Sequence, residues 1–292
     1  MKLFAMSKTI VLPVVLCAVS VAPLVVRAQD DGTNGPPNIL LVQREYTKPG
    51  KGGAEHERSE GTFAQAMAGH KIPAHYFAMT SMSGPDRALF FSGFDSFADL
   101  EAANKSMGKD PAVAATLDRL NVADGDLLSE TDSSVWRRRP DMSLNTGNLV
   151  GMRYMEIEQF KIKPGRGAEW EEVVKMVMDG YKKGVPEASW VMFEQVFGTA
   201  GNAYVVLVPL KSLADVDAHH AAGKGFADAM GKDGMKKLDE LEASCVEEEQ
   251  TNLFHFSPAM SYVPESWVKA EPDYWKPKAV APAKKAEAKP VQ

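Results

Sequence analysis

The sequence predicts an α+β protein built from one β-α-β-β-α-β unit written twice. The two copies are expected to pack sheet to sheet as one eight-stranded barrel with helices outside. Three observations carry this. Five short blocks recur in the same order at a spacing of about 115 residues. The hydrophobic pattern of each copy switches between strand and helix periods in the same order. A four-stranded sheet with helices on one face leaves its other face bare, and a second such sheet is the natural cover.

The repeated blocks fix the register. Lys48-Pro49-Gly50-Lys51-Gly52 matches Lys163-Pro164-Gly165-Arg166-Gly167, and Ser96-Phe97-Ala98-Asp99-Leu100 matches Ser212-Leu213-Ala214-Asp215-Val216. Met107-Gly108-Lys109-Asp110 recurs as Met230-Gly231-Lys232-Asp233, and Leu117-Asp118-Arg119-Leu120 as Leu238-Asp239-Glu240-Leu241. Pro140-Asp141-Met142-Ser143 answers Pro258-Ala259-Met260-Ser261.

Residues 39–47 and 152–162 are rich in branched and aromatic residues, and each run ends in the Lys-Pro-Gly turn, where strand gives way to helix. In the second copy Trp170, Val173, Val174, Val177 and Tyr181 then fall on one helical face. Gly184-Val185-Pro186 ends that helix. Strand-like runs 189–197 and 203–210 follow, joined by a Gly-rich hairpin loop, then helical residues 212–243 and a strand at 252–256. The first copy repeats the order: a helix near 54–69, strands at 74–81 and 87–94, helices across 96–120, and a strand at 134–139.

This unit is the ferredoxin-like one. The strand, Lys-Pro-Gly-x-Gly turn and amphipathic helix of residues 157–181, with Asp110-Pro111-Ala112-Val113 opening a helix in the first copy, resemble the dimeric α/β-barrel superfamily. Its members include antibiotic-biosynthesis-type and haem-degrading monooxygenases, NIPSNAP-like proteins and muconolactone-isomerase-like enzymes. The resemblance covers residues 38–143 (repeat 1) and 152–261 (repeat 2). It implies a pseudo-dimer within one chain, with further oligomerisation left open. The shared motif holds no catalytic residue, so it implies a fold and not an activity.

The chain has 292 residues, 45% of them apolar and 25% charged, enough for a large core. A net charge of −6 argues against nucleic acid as a partner. Two cysteines exclude a disulfide scaffold and a Cys-rich metal site. Lys2 and Lys8 precede an apolar run at 10–26 that closes on Val26-Arg27-Ala28. This is the layout of a secretory signal peptide over 1–28, which predicts an exported, periplasmic or extracellular protein. An uncleaved anchor is the alternative. No other segment is apolar enough to cross a membrane. Residues 29–37 and 144–151 read as linkers, 262–278 as an aromatic strap, and 279–292 as a disordered Ala/Lys/Pro tail. Cys245 reads as a small buried helical residue.

No phosphate loop, nucleophile elbow or His-Glu-x-x-His motif occurs. The repeat breaks its own pattern on the first helix, where His56, Ser59, Glu60 and Phe63 stand in the places of Trp170, Val173, Val174 and Val177. His56 and Glu60 are four apart and share a face, which suits an acid–base pair; the alternative is a solvent-facing pair. The expectation is a pocket beside them that the second repeat lacks, with no metal site assigned. His75, Tyr76, Arg138, His220 and His255 are further pocket candidates. His255 alternates with Phe254 and Phe256, and Arg138 with Arg137 and Arg139. By the resemblance, His219 or His220 is where a haem ligand would be sought; the cofactor is otherwise open. Two classes of function fit. One is a cofactor-independent or haem-linked monooxygenase or isomerase. The other is a non-catalytic envelope-interaction module. In the leading reading, a small apolar or aromatic molecule is handled in a barrel cavity.

Overall fold

A computed structural model describes residues 35–198 and 201–276. The predicted signal peptide, most of the first linker and the tail at 279–292 lie outside the described residues. The first repeat runs β1 (Ile39–Thr47), α1 (Ala54–Gly69), β2 (Tyr76–Ser81), β3 (Arg87–Phe94), α2 (Phe97–Met107), α3 (Pro111–Gly125) and β4 (Leu128–Arg138). The second runs β5 (Tyr154–Ile162), α4 (Gly167–Gly184), β6 (Val191–Phe197), β7 (Ala203–Leu210), α5 (Ala214–Cys245) and β8 (Val246–Tyr262). Two short helices follow, α6 (Glu265–Ala270) and α7 (Pro272–Trp275).

The strands close into one antiparallel barrel in the order β1-β3-β2-β8-β5-β7-β6-β4. Read around the ring, each repeat contributes the order 4-1-3-2 of a ferredoxin-like sheet. The seams are β2 with β8 and β4 with β6. The chain is therefore a pseudo-dimer in which each sheet covers the other. Closure leaves no strand edge open to pair with another chain.

Local sequence explains the elements. In both Lys-Pro-Gly turns the glycine takes the left-handed backbone that an L-residue avoids, φ 80° at Gly50 and 79° at Gly165. The turn closes alike in each copy, Lys51 N–H donating to Lys48 C=O at 2.9 Å and Arg166 N–H to Lys163 C=O at 3.1 Å. Ser96 caps α2 by accepting from the Asp99 N–H, and Asp110 caps α3 by accepting from the Ala112 N–H, with Pro111 in the first turn. The break between α2 and α3 at Gly108 has its counterpart in α5, which kinks at Gly231 (φ 67°).

Two strands run longer than their apolar patterns suggest. β4 begins at Leu128 rather than 134, and β8 covers 246–262 rather than 252–256. The added residues at 129–133 and 247–251 are polar and largely exposed, and they are strand because they pair with β1 and β5. At the other end of β8, residues 257–262 are half-buried to buried and meet β2. Pairing, not hydrophobicity, sets these ends.

Alternation along the strands divides two kinds of core. Leu40, Val42, Leu89, Trp136, Phe193 and Phe254 point inward and fill the barrel. Trp267 of α6 and Trp275 of α7 join this cluster and close one end, the Trp275 indole donating to Val150 C=O at 2.8 Å. A cavity of about 100 Å³ remains at that end. The outward faces pack against the helices in separate layers. Around Met67, Ile72, Val113 and Leu117 lies the first-repeat layer; around Trp170, Val173, Tyr204 and Leu238 lies the second. Cys245 is fully buried in the second layer. Among the described residues no helix is long and apolar enough to cross a membrane.

Candidate functional site

The two helix–sheet layers differ in chemistry. On β1 the residues facing the barrel are Leu40 and Val42, so Glu45, an odd number of positions away, faces the helices. Helix α1 turns His56 and Glu60 toward the same point, and the last turn of α3 brings Asp124. His56 Nε2 lies 3.0 Å from Glu45 Oε2 and 3.7 Å from Asp124 Oδ2. Each of the four residues offers a ligand-type atom, and these atoms all lie within 4.8 Å of one another. All four side chains are buried. Gln43 donates to the other oxygen of Glu45 at 2.7 Å, and Ser59 hydrogen-bonds to Asp124.

Electrostatically this is an acidic knot. Burial, then Glu45 and Asp124, push the Glu60 carboxyl well above the usual carboxylate range. Burial also raises Asp124, against the lowering effect of its Ser59 hydrogen bond. Among the described residues no Lys or Arg pairs with any of the three carboxylates. The Tyr76 hydroxyl is buried nearby with no hydrogen-bond partner, and burial with Glu60 and Glu45 raises its pKa.

The second repeat fills the same places with apolar groups. Ile162 and Thr47 stand at the same bulge in their strands, which sets Phe160 opposite Glu45 in the repeat. Trp170 replaces His56 and packs in tilted contacts on Phe160 at 5.0 Å and on Tyr204 at 5.4 Å between ring centroids. Beyond them a cavity of about 490 Å³ opens between the sheet and helices α4 and α5. Trp170, Val174, Val177, Tyr181, Trp190 and Phe226 supply apolar wall. Five carboxylates (Glu156, Glu158, Asp239, Glu242 and Glu249) also line it, with no Lys or Arg. Burial, with Glu156 and Glu249 adding repulsion, pushes Glu158 up to about 7. The cavity thus lies in the second repeat, the reverse of the expectation from sequence. In the first repeat, Glu45 and Asp124 fill the space that a smaller side chain at position 56 would have left.

The other predicted residues scatter. Ser59 supports Asp124, and Phe63 packs on the Met67 and Leu117 cluster. His75 packs on Tyr262 at 4.5 Å between ring centroids, and with Tyr76 it lines the small barrel-end cavity. Arg138 donates to Asn38 at 2.9 Å, while Arg137 and Arg139 bridge to Glu194 and Asp141. His255 points out of the barrel and hydrogen-bonds Thr80. His220 and His219 are exposed residues of α5 at the larger cavity. The lining there does not suit haem: five carboxylates, with no Lys or Arg, would face two propionates. Sequence reasoning missed Glu45, Asp124, Glu156 and Glu158. The repeat register held a signal for Glu45, since it aligns a carboxylate with Phe160.

The fold and its two unlike layers define a single-chain, pseudo-dimeric α/β-barrel protein. No family model and no curated protein matches the sequence. Among solved structures the chain is similar to a provisionally assigned monooxygenase from Fusobacterium nucleatum, at 12% identity and TM-score 0.49, covering 75% of this chain and 91% of that one. It is similar to an anthrone oxidase-like protein at 14% identity and TM-score 0.44, covering 75% and 92%. A chlorite dismutase variant from Candidatus Nitrospira defluvii gives 10% identity and TM-score 0.46, covering 82% and 98%. These likenesses carry no activity to this chain; its barrel is read from its own strand pairing.

Proposed function

We propose that this is an exported protein that binds a small apolar or aromatic molecule bearing a positive charge, in the cavity between the second-repeat sheet and helices α4 and α5. One observation carries the reading: a space of about 490 Å³ walled by aromatic and branched side chains, with five carboxylates and no Lys or Arg among its lining residues. That volume suits a small-molecule site. The 100 Å³ left inside the barrel is too small for one. Half-buried Glu156, Glu158 and Glu242, with exposed Asp239 and Glu249 at the rim and no Lys or Arg among the lining residues, favour an ammonium over a neutral or anionic group. Glu158, held up to about 7, can give or take a proton near neutrality, which keeps an acid–base role in view for a bound ligand. Export rests on Lys2, Lys8, the apolar run at 10–26 and the Val26-Arg27-Ala28 site.

Trp170 and Trp190 line the cavity, so quenching of tryptophan fluorescence reports its occupancy. Titration should show 2-phenylethylamine binding at least about tenfold tighter than 2-phenylethanol, and 3-phenylpropionate not binding. Glu158→Gln should erase the preference for the amine. Equal binding of all three probes, or a preference for the acid, would sink the charge assignment. No saturable quenching by any probe would sink the site. N-terminal sequencing of the protein from its native host should begin at or near Gln29; an intact Met1 on a cytosolic protein would refute export.

A further inference from the structure

We propose that Glu45, His56, Glu60 and Asp124 bind one divalent transition-metal ion, of the zinc, iron(II) or manganese class, buried in the helix–sheet layer of the first repeat. The donor set is one imidazole and three carboxylates, drawn from β1, α1 and α3 and converging on a single point. An imidazole donor selects against calcium and magnesium, which take oxygen ligands, and three hard oxygens select against copper(I).

Geometry supports one ion. With metal–ligand bonds of about 2.0–2.2 Å, two donors on one ion stand no more than roughly 4.4 Å apart. The widest separation here is within 4.8 Å, so contraction by a few tenths of an ångström completes the site. The donors are held from outside: Gln43 orients Glu45 and Ser59 orients Asp124, the kind of support that metal-ligating carboxylates receive. Two groups at this point ask for a further partner. Asp124 is 4% exposed and its Oδ1 has no hydrogen bond; the hydroxyl oxygen of half-buried Tyr76 is out of contact with solvent and has none either. Asp124 also sits in the last turn of α3, where the helix carbonyls add negative potential and a cation is favoured.

The sibling repeat sharpens the case. The same fold positions carry Phe160, Trp170 and Val174, an ordinary aromatic core that packs well. A helix–sheet layer of this kind therefore needs no polar group for folding. Exchanging all three for Glu45, His56 and Glu60, with Asp124 added from α3, assembles a charged set in a dry place. No Lys or Arg among the described residues pairs with these carboxylates, so a bound cation is the partner the set lacks. This site is distinct from the second-repeat cavity, and its failure would leave that reading standing.

The test uses the full mature chain, stripped with a chelator and titrated with Zn²⁺, Mn²⁺, Mg²⁺ and Ca²⁺ by calorimetry, with metal content by elemental analysis. One Zn²⁺ or Mn²⁺ per chain should bind, at least about 100-fold more tightly than Mg²⁺ or Ca²⁺. Co²⁺ should give a visible ligand-field spectrum. The near-isosteric Glu60→Gln should weaken binding roughly 100-fold or more, whereas Glu158→Gln in the other repeat should leave it unchanged. His56→Ala should abolish the cobalt spectrum; if that chain does not fold, Glu60→Gln and Glu45→Gln carry the test. Absence of saturable binding, or a native affinity and cobalt spectrum in Glu60→Gln, would overturn the proposal.

Discussion

His56 Nε2 lies 3.0 Å from Glu45 Oε2 at the place where the second repeat packs Trp170 against Phe160, ring centroids 5.0 Å apart. One backbone plan thus carries a polar, hydrogen-bonded contact in one copy and an aromatic one in the other. The two contacts use the same two positions, one on the first strand and one on the first helix.

The exchange is concerted, so its parts should not be separable. His56→Trp alone should destabilise the protein by about 3–5 kcal/mol, because it strands buried carboxylates and crowds a filled space. Adding Glu45→Phe, Glu60→Val and Asp124→Ala should recover most of that loss, the quartet falling well short of the sum of the singles. Urea unfolding of the single and fourfold variants decides it. A neutral His56→Trp would mean that the space is open.

Glu158 gives the protein a pH-dependent stability of known sign. Its ordinary pKa is 4.5 and in the fold it rises to about 7, with burial as the main cause and Glu156 and Glu249 behind it. Between these values the folded chain holds a proton that the unfolded chain has lost. Stability therefore falls as pH climbs from 4.5 to about 7 and is flat above, on this group's account. The loss is a few kcal/mol at most, at about 1.4 kcal/mol per unit. Glu158→Gln should flatten that stretch of the profile, and a pH series of melting curves on both proteins reads it.

Gly184 of α4 and Gly225 of α5 meet backbone to backbone. A Cβ at Gly184 would stand 2.2 Å from the Gly225 carbonyl oxygen, and neither group can turn aside. Gly184→Ala should cost about 1–3 kcal/mol by forcing the helices apart, and it should loosen probe binding in the cavity between them. Thermal unfolding with fluorescence titration measures both; an unchanged cavity affinity would show that the crossing does not shape it.

Trp275 carries more than its short helix suggests. It is 1% exposed, packs against Phe256 and Trp267, and donates to Val150 C=O. Trp275→Ala should destabilise by about 3–5 kcal/mol and enlarge the barrel-end cavity. Chemical denaturation should show the loss. A change below about 0.5 kcal/mol would place α7 among the dispensable surface elements.

The sequence by itself determined the repeat, the β-α-β-β-α-β order and the barrel. Those rest on local and periodic signals: the Lys-Pro-Gly turns, the helix caps at Ser96 and Asp110, and a bare sheet face that only a second sheet could cover. It also marked His56 and Glu60 as the point where the repeat departs from itself. Only the tertiary structure decided what surrounds them. Glu45 and Asp124 lie 11 residues before and 68 after His56 along the chain, and strand alternation and the end of a distant helix bring them in. The position of the larger cavity was likewise beyond the pattern, because a void depends on how well four unlike side chains fill one space. Hydrophobic periodicity records which way a residue faces, and it holds no information on the volume left between facing residues.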